Sequence, residues 1–204
     1  GNRRGALAAH AGATFLKRTS KAVVLPRDFS NWTRLGSLSR SRQQGACGSC
    51  WAVATGTVLD AHSEIYSSAG KRRTFSVQDL VSCVPNPHSC GGTGGCDGAT
   101  VELALDYAIN YGLATAEELP YHANTGNCQN RFHASAIALT SGIGSIDVAI
   151  PGVHYAAAKP ALAVGMKAWE RLPENSYQPL LRAVFEHGPV AVSVSASSWT
   201  SYAS

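Results

Sequence analysis

The chain has 204 residues, of which 45% are hydrophobic, and a formal net charge of +4. It is long enough to bury the core of one large domain or two small ones, and it contains no apolar run of the roughly eighteen residues that a membrane-spanning helix needs.

Residues 1–42 hold nine Lys or Arg residues and a single acidic residue, Asp28. A basic arm can contact nucleic acid, but no aromatic residue is interleaved with these charges before Phe15, and no groove-reading motif follows. Neither nucleic acid nor a membrane is therefore an expected partner.

Residues 1–22 are rich in Ala, Gly and Arg, which predicts a weakly ordered leader or the end of a prosegment. We place the domain at residues 23–204, with an early strand near Val23 to Trp32. Asn31-Trp32-Thr33 matches the N-glycosylation triplet Asn-x-Ser/Thr. This triplet agrees with a secreted or lysosomal protein.

The stretch QQGACGSCWA, residues 43–52, places Cys47 three residues before Cys50. Such a pair can be a redox dithiol, half of a zinc site, or a structural cysteine beside a reactive one. A helix N-terminus stabilises an anion through its unpaired N–H groups and its macrodipole, as a reactive thiolate requires. The same position also suits a buried cysteine that opens a core helix. The apolar residues that follow recur at steps of three and four, which predicts a helix of about four turns starting at Cys50: Trp51, Ala54, Val58, Ala61 and Ile65.

Gln44 lies six residues before Cys50, and Gly45 and Gly48 between them let the chain fold back. The side-chain amide of Gln44 and a backbone N–H at the helix start can then converge as an oxyanion hole for acyl transfer. Thioredoxin-type sites place tryptophan before the first cysteine, whereas Trp51 follows the second. This order disfavours the redox interpretation.

Three further elements are predicted along the chain. Ser76-x-x-Asp79 is a capping box that opens a short helix. A second helix, with Gly112 as its C-terminal stop, carries one apolar face formed by Val101, Ala104, Leu105, Ala108 and Tyr111. Alternating apolar residues predict a half-buried strand at Val190, Val192, Val194 and Ala196.

Three cysteines and one histidine after the first helix are candidate zinc ligands. Their spacing is irregular, so no metal is expected there; they are Cys83, His88, Cys90 and Cys96. No cofactor is expected either.

The stretch QGACGSCW resembles the active-site signature of papain-like cysteine peptidases, the cathepsins included. Later segments are similar to family segments in the same order: FSVQDLVSC, GCDG, the run from Gly112 to Tyr121, and EHGPV. The resemblance covers about residues 23–204 and implies an α+β fold with two subdomains. One is a mainly helical half, about residues 45–130, and the other is a β-barrel-like half, about residues 131–204, incomplete at the C-terminus. The cleft between the halves is expected to accept an extended peptide.

The resemblance also implies roles for individual residues. Cys50 is the implied nucleophile, and Gln44 with the Cys50 N–H forms the implied oxyanion hole. Disulfide bonds are implied between Cys47 and Cys96 and between Cys83 and Cys128, which leaves Cys90 without a family partner. Such bonds imply an oxidising compartment, such as a lysosome, a vacuole or the exterior. The implied peptide or protein substrate is contacted by Gly48, Trp51, Gly98, Ala99 and Ser193.

The sequence departs from the family pattern in three ways. Ala99 replaces a glycine whose backbone pairs with an extended substrate. The connection from Cys128 to Pro189 is about twenty-five residues longer than expected, which predicts a surface insertion around residues 153–176. The family's catalytic His lies about 130 to 150 residues after the cysteine, and His187 meets this distance in the wrong setting, just before the Gly-Pro-Val strand.

We therefore expect the catalytic His and Asn to come from a continuation beyond Ser204 or from a partner light chain. The remaining histidines considered have no supporting motif and are expected to be ordinary surface or core residues: His62, His122, His133 and His154. The alternative is a catalytically inactive papain-like scaffold that uses the fold for binding.

Overall fold

The computed structural model describes residues 24–67, 72–128, 166 and 168–195. These ranges contain four α-helices: α1 (Cys50–Tyr66), α2 (Val77–Cys83), α3 (Val101–Tyr111) and α4 (Tyr177–His187). They also contain three short 3₁₀ helices, at Asn31–Arg34, Gly36–Leu38 and Gly95–Asp97. Within the same ranges β-structure is limited to an isolated antiparallel bridge between Phe75 and Thr115. The expected leader and most of the expected insertion around residues 153–176 lie outside the described residues, as do His133 and His154.

Helix α1 starts at Cys50 as predicted, but its buried face is not the one that the apolar spacing indicates. Ala54, Val58 and Ile65 are only partly buried. The fully buried positions lie on a neighbouring face and include two polar side chains: Trp51, Ala52, Thr55, Gly56, Leu59, Asp60 and Ala61.

The two polar side chains on this face are buried because both are hydrogen-bonded. The Thr55 hydroxyl donates to the carbonyl oxygen of Trp51 at 2.7 Å. The Asp60 carboxylate accepts from the Phe75 N–H at 2.8 Å and from the Arg42 guanidinium at 2.5 Å. Polar groups that keep a partner can be buried at small net cost, so hydrophobicity alone misplaces the face of α1.

Helix α2 begins with half of the predicted capping box. The Ser76 hydroxyl accepts from the Asp79 N–H at 3.0 Å, which satisfies one of the unpaired donors at the helix start. The Asp79 carboxylate accepts from the Tyr107 hydroxyl at 3.1 Å and from the Ala114 N–H at 2.8 Å. Asp79 therefore joins α2 to α3 and to the segment that follows α3.

Helix α3 ends where the sequence predicts. Its C-cap is Gly112 at φ +68°, a backbone conformation that favours glycine. The core packs between α1, α2 and α3, and its least exposed large side chains are Phe75, Leu80 and Leu113. This core supports the α1 end that carries Cys50.

Two predicted strands are absent from the described residues. Residues 190–195 carry no strand, and Val192 and Val194 are 57% and 60% exposed. Residues 24–30 carry no strand either, and Val24 is 89% exposed. A strand takes its hydrogen bonds from a neighbour, and the described ranges provide no partner strand for either segment. Both strand predictions are wrong for these residues, and the β-rich half stays a prediction.

Helix α4 lies where the sequence predicted β-structure. Its apolar side chains recur four residues apart, as in Leu180 with Val184 and Leu181 with Phe185, and Gly188 follows its last residue at φ +127°. Arg182 and Glu186 form an ion pair at 3.0 Å on the same helix, the spacing that supports helices. These signals are helical, and the prediction of β-structure for this segment is wrong.

Helix α4 is attached to the N-terminal segment and to the C-terminal end of α1. The Trp32 indole N–H donates to the Val184 carbonyl oxygen at 2.6 Å, and the Phe29 ring packs edge-on against Phe185 with centroids 5.0 Å apart. The Tyr66 hydroxyl donates to the His187 carbonyl oxygen at 2.7 Å. Side-chain contacts, and not a strand ladder, therefore hold the segment before α1.

No helix in the described ranges is long and apolar enough to cross a membrane.

Candidate active site

Cys50 is the first residue of α1, and it is exposed. The preceding N-cap residue, Ser49, is completely buried. The N-terminus of a helix favours negative charge because its first N–H groups lack intrahelical acceptors and the macrodipole is positive there. The structure therefore presents the Cys50 thiol to solvent at a position that suits an anion.

Cys47 and Cys96 form a disulfide with sulfur atoms 2.07 Å apart, and Cys83 and Cys128 form a second one. These are the two pairs that the family resemblance implies. Cys50 and Cys90 are the free cysteines among the described residues. Since Cys47 is oxidised, Cys50 is the available thiol of the Cys-x-x-Cys.

The side chain of Gln44 folds back towards the start of α1. Its amide nitrogen donates to the Cys47 carbonyl oxygen at 2.9 Å. Gly45, at φ +64°, allows the chain to turn between them. The amide nitrogen carries two hydrogens, and the bond to Cys47 uses one of them.

Gly48 fits closely against the loop that carries Cys96. The Gly48 N–H donates to the Cys96 carbonyl oxygen at 2.8 Å. A Cβ atom at position 48 would lie 2.5 Å from that same oxygen and 3.9 Å from the Gly98 nitrogen. The structure thus brings Gly48 and Gly98 together beside Cys50, and half-buried Ala99 follows Gly98.

Two other predicted substrate contacts are Trp51 and Ser193, of which the first is buried and the second exposed. Trp51 is only 4% exposed, and its indole N–H donates to the Gly95 carbonyl oxygen at 3.2 Å. A side chain so completely enclosed cannot offer a surface to a peptide, so the prediction for Trp51 is corrected: it supports the site from the core. Ser193 is exposed, four residues after Pro189, which contacts His62. Its role in substrate binding stays a prediction.

Two histidines lie far from the first residue of α1. His62 is on α1 itself, and His187, the last residue of α4, contacts the C-terminal end of α1. His62 Nε2 is 2.9 Å from the Pro189 carbonyl oxygen, and the His187 carbonyl oxygen accepts from Tyr66. Since an α-helix rises about 1.5 Å per residue, His62 is roughly 18 Å along the axis from Cys50 and Tyr66 roughly 24 Å. Neither His62 nor His187 is placed to exchange a proton with the Cys50 thiol.

The cysteines considered for a zinc site do not form one. Cys83 and Cys96 are in disulfide bonds, and in the described part of the chain no group of three His, Cys, Asp or Glu side chains could hold a metal ion. Asn86 organises the loop around Cys90 by accepting from the Cys90 N–H at 2.8 Å and donating to its carbonyl oxygen at 3.0 Å. His88 and His122 are exposed.

Tyr121 was not expected among the site residues. Its hydroxyl donates to the Gln44 carbonyl oxygen at 2.7 Å and shares a second hydrogen bond with the Ser49 hydroxyl. The sequence offers no local signal for these contacts, because Tyr121 lies 77 residues after Gln44. It is a residue that only the folded chain brings to the site.

The chain before Gln44 is anchored by the ion pair of half-buried Arg42 with buried Asp60. Burial raises the pKa of the Asp60 carboxyl, while the bonds from the Phe75 N–H and from Arg42 act in the opposite direction. A cavity of about 330 Å³ lies beside this pair and is lined in part by Gln43 and Tyr121. Cys50 is not among its lining residues.

Comparisons with known proteins identify the family of this chain. The family described as "Papain family cysteine protease" matches residues 25–204. Cysteine endopeptidase RepA of Oryza sativa subsp. japonica is 32% identical over 168 residues, 82% of this chain and 35% of that protein. The probable cysteine protease RDL5 of Arabidopsis thaliana is 30% identical over 182 residues, 89% of this chain and 40% of that protein. Caricain of Carica papaya is 32% identical over 124 residues, 61% of this chain and 33% of that protein.

Among solved structures, a similar one is the Carica candamarcensis cysteine protease CMS1MS2 in complex with E-64. It has a TM-score of 0.51 and 21% sequence identity, and the match covers 76% of this chain and 57% of that one. This likeness supports a papain-like fold. The chain belongs to the papain family of cysteine proteases, and it spans between a third and two fifths of the length of the three curated relatives.

Proposed function

We propose that the complete protein is a cysteine peptidase in which Cys50 is the nucleophile. The observation that carries this proposal is the exposed Cys50 thiol at the start of α1, with the Gln44 amide turned back to the Cys47 carbonyl oxygen, three residues before Cys50. Both groups are the ones that acyl transfer needs at one carbonyl, a nucleophile and a hydrogen-bond donor for the developing negative charge. The proposed substrate is therefore an extended peptide.

In the proposed reaction the Cys50 thiol gives its proton to an imidazole, and its sulfur attacks the peptide carbonyl carbon. The C–S bond forms as the carbonyl oxygen becomes an oxyanion. The Gln44 amide and the Cys50 N–H donate to that oxyanion. The C–N bond then breaks, the leaving amine takes a proton from an imidazolium, and a thioester remains. Water hydrolyses the thioester and releases the Cys50 thiol.

The imidazole that accepts and returns this proton is proposed to lie outside residues 1–204, on a continuation of the chain or on a partner light chain, together with an orienting Asn. The positions of His62 and His187 along α1 support this part of the proposal, because both are far from Cys50. Gly48, Gly98 and Ala99 are proposed to contact the peptide backbone near Cys50, and Ser193 to line a side-chain pocket.

The disulfide bonds support a location in the secretory pathway, in a lysosome, in a vacuole or outside the cell, because such bonds persist in oxidising compartments. Asn31 is exposed and available for glycosylation.

The first test identifies the reactive thiol. Native protein is treated with a thiol-directed epoxide, and the adduct is mapped by mass spectrometry. Labelling at Cys50 is expected, and a Cys50→Ser variant should remain unlabelled. Labelling at the other free cysteine, Cys90, or at neither, contradicts the proposal.

The second test measures turnover of fluorogenic peptides between pH 4 and 8. Residues 1–204 alone should not hydrolyse them, whereas the complete protein should, because each proton-transfer role contributes about 10²- to 10⁴-fold. A Gln44→Ala variant of the complete protein should lose about 10²-fold or more in kcat. Activity of the isolated chain that disappears in His187→Ala would place the base at His187, and a complete protein without activity would favour a binding scaffold.

A further inference from the structure

The N-cap residues of α2 and α3 each use their side chain to cap their helix, and the N-cap residue of α1 does not. Ser76 accepts from the Asp79 N–H at the start of α2, and Thr100 accepts from the Leu103 N–H at the start of α3. Ser49 makes no such bond, although it is completely buried. Its hydroxyl is instead bonded to the hydroxyl of Tyr121.

The direction of the hydrogen bonds around Tyr121 follows from the donors available. A carbonyl oxygen can only accept, so Tyr121 uses its single proton on the Gln44 carbonyl oxygen, 2.7 Å away. The Ser49 hydroxyl must therefore donate to the Tyr121 oxygen. The result is a directed chain of bonds from Ser49 through Tyr121 to Gln44, in which each bond polarises the next.

This chain joins the two residues whose geometry decides the proposed oxyanion hole. Gln44 carries the side-chain donor, and the peptide bond between Ser49 and Cys50 carries the backbone donor. We propose that Tyr121 is a positioning residue that fixes the separation of these two donors, an inference that rests on the proposed function. Tyr121 itself contacts neither the thiol nor the reacting carbonyl.

Tyr121 is well held for such a role. It is partly buried against the core, and the chain on each side of it, at Leu119 and at His122, is bonded to the α2 region. The Leu119 carbonyl oxygen accepts from the Ser76 hydroxyl at 2.6 Å, and the His122 N–H donates to the Gln78 side-chain oxygen at 2.9 Å. The hydroxyl of Tyr121 is thus presented from a fixed part of the fold to the loop that carries Gln44.

The test compares Tyr121→Phe with Tyr66→Phe in the complete protein. Tyr66 is a matched control because its hydroxyl also donates to a carbonyl oxygen, that of His187, at 2.7 Å but at the far end of α1. For Tyr121→Phe, kcat on a peptide substrate should fall about 10-fold with little change in KM, since oxyanion donors act mainly in the transition state. The control should retain its kcat.

A second readout separates positioning from general damage to the site. Alkylation of Cys50 by iodoacetamide forms no oxyanion, so its rate should be the same in both variants. A peptide aldehyde does form an oxyanion when it binds to Cys50. Its binding should therefore weaken about 10-fold in Tyr121→Phe and stay unchanged in Tyr66→Phe. Ser49→Ala breaks the same chain of bonds at its other end. A double variant that carries both Ser49→Ala and Tyr121→Phe should therefore lose no more activity than Tyr121→Phe alone.

Several results would overturn the proposal. Equal kcat values for the two tyrosine variants would do so, as would a parallel loss of alkylation and turnover in Tyr121→Phe, or additive effects of Ser49→Ala. If the unmodified protein shows no turnover, the proposed function has failed separately. In that case a crystal structure of Tyr121→Phe still tests whether Tyr121 positions the two donors. The proposal requires the Gln44 amide to move by about 1 Å or more relative to the Cys50 nitrogen, because a shift of this size is large enough to impair catalysis.

Discussion

Replacement of Gly48 by Ala tests how tightly the Cys47–Cys96 disulfide holds the loop beside Cys50. The added Cβ would lie 2.5 Å from the Cys96 carbonyl oxygen, and the next nearest atom is also backbone, the Cys96 carbonyl carbon at 3.5 Å. The backbone of Gly48 is not in the left-handed region, so the cost of the substitution is steric. The disulfide joins the preceding residue, Cys47, to Cys96 itself, and so restrains both backbones from moving apart.

The expected loss of stability follows from these contacts. Overpacking of a tight site costs about 1–3 kcal/mol, and losing the Gly48 N–H bond to Cys96 adds about 1 kcal/mol. Alanine reduces the entropy of the unfolded chain, which returns about 0.4–1 kcal/mol. Gly48→Ala should therefore lower the free energy of unfolding by about 1–3.6 kcal/mol.

Urea denaturation under non-reducing conditions measures this loss, with Gly126→Ala as the control. A Cβ atom at position 126 would first meet the Ser82 hydroxyl, a side-chain atom at 2.8 Å that can rotate away, so the control should lose less than about 1 kcal/mol. The alkylation rate of Cys50 should change in Gly48→Ala and not in the control. A Gly48→Ala protein as stable as the unmodified one would refute the close fit between residue 48 and Cys96.

Three further predictions concern other parts of the fold. The Glu64 carboxylate accepts from the N–H groups of Ser37 and Gly36 at 2.9 and 3.0 Å, and these bonds lower its pKa below 4.5. Glu64→Gln should therefore lower the free energy of unfolding at pH 7 by less than about 1 kcal/mol, given solvent screening. This loss should disappear as the pH falls below 4.5 through the lowered pKa, because the carboxyl is then protonated in the folded protein too. An equal urea midpoint difference at pH 7 and at pH 3 would contradict this. Replacement of both Cys83 and Cys128 by Ser should lower the unfolding free energy by about 4 kcal/mol on the chain-entropy account of a loop of this length, as measured by denaturant titration. His187→Ala should leave peptide turnover by the complete protein unchanged, and a loss of more than about 10-fold in kcat would show that His187 takes part in catalysis.

The parts of the site that could be predicted are those fixed by local sequence. The start of α1 at Cys50, the cap at Ser76 and the stop at Gly112 each depend on residues within a few positions, where capping and periodicity act. The disulfide pairs followed from the family resemblance, because one sequence alone leaves many pairings open. The same resemblance supplied the expected β-barrel-like half, and it predicted none of α4.

The parts that could not be predicted depend on partners distant in the sequence. Asp60 reads as a polar surface position of α1, yet it is buried because Arg42 and the Phe75 N–H bind its carboxylate. The alternation of Val192 and Val194 reads as a strand, yet a strand needs a neighbour. A hydrophobic pattern describes which residues can be buried, and only the available hydrogen-bond partners decide which ones are.

Tyr121 shows why this limit matters most at the candidate site. The groups that meet there are largely backbone atoms: the Gln44 carbonyl oxygen, the Gly48 N–H and the Cys96 carbonyl oxygen. Backbone groups are the same in every residue, so their contacts leave no residue-type signature except where a side chain must be absent, as at Gly48. The sequence therefore reveals the thiol, the amide and the glycine, while the hydroxyl that ties the Gln44 loop to the start of α1 becomes visible only when the fold brings residue 121 beside them.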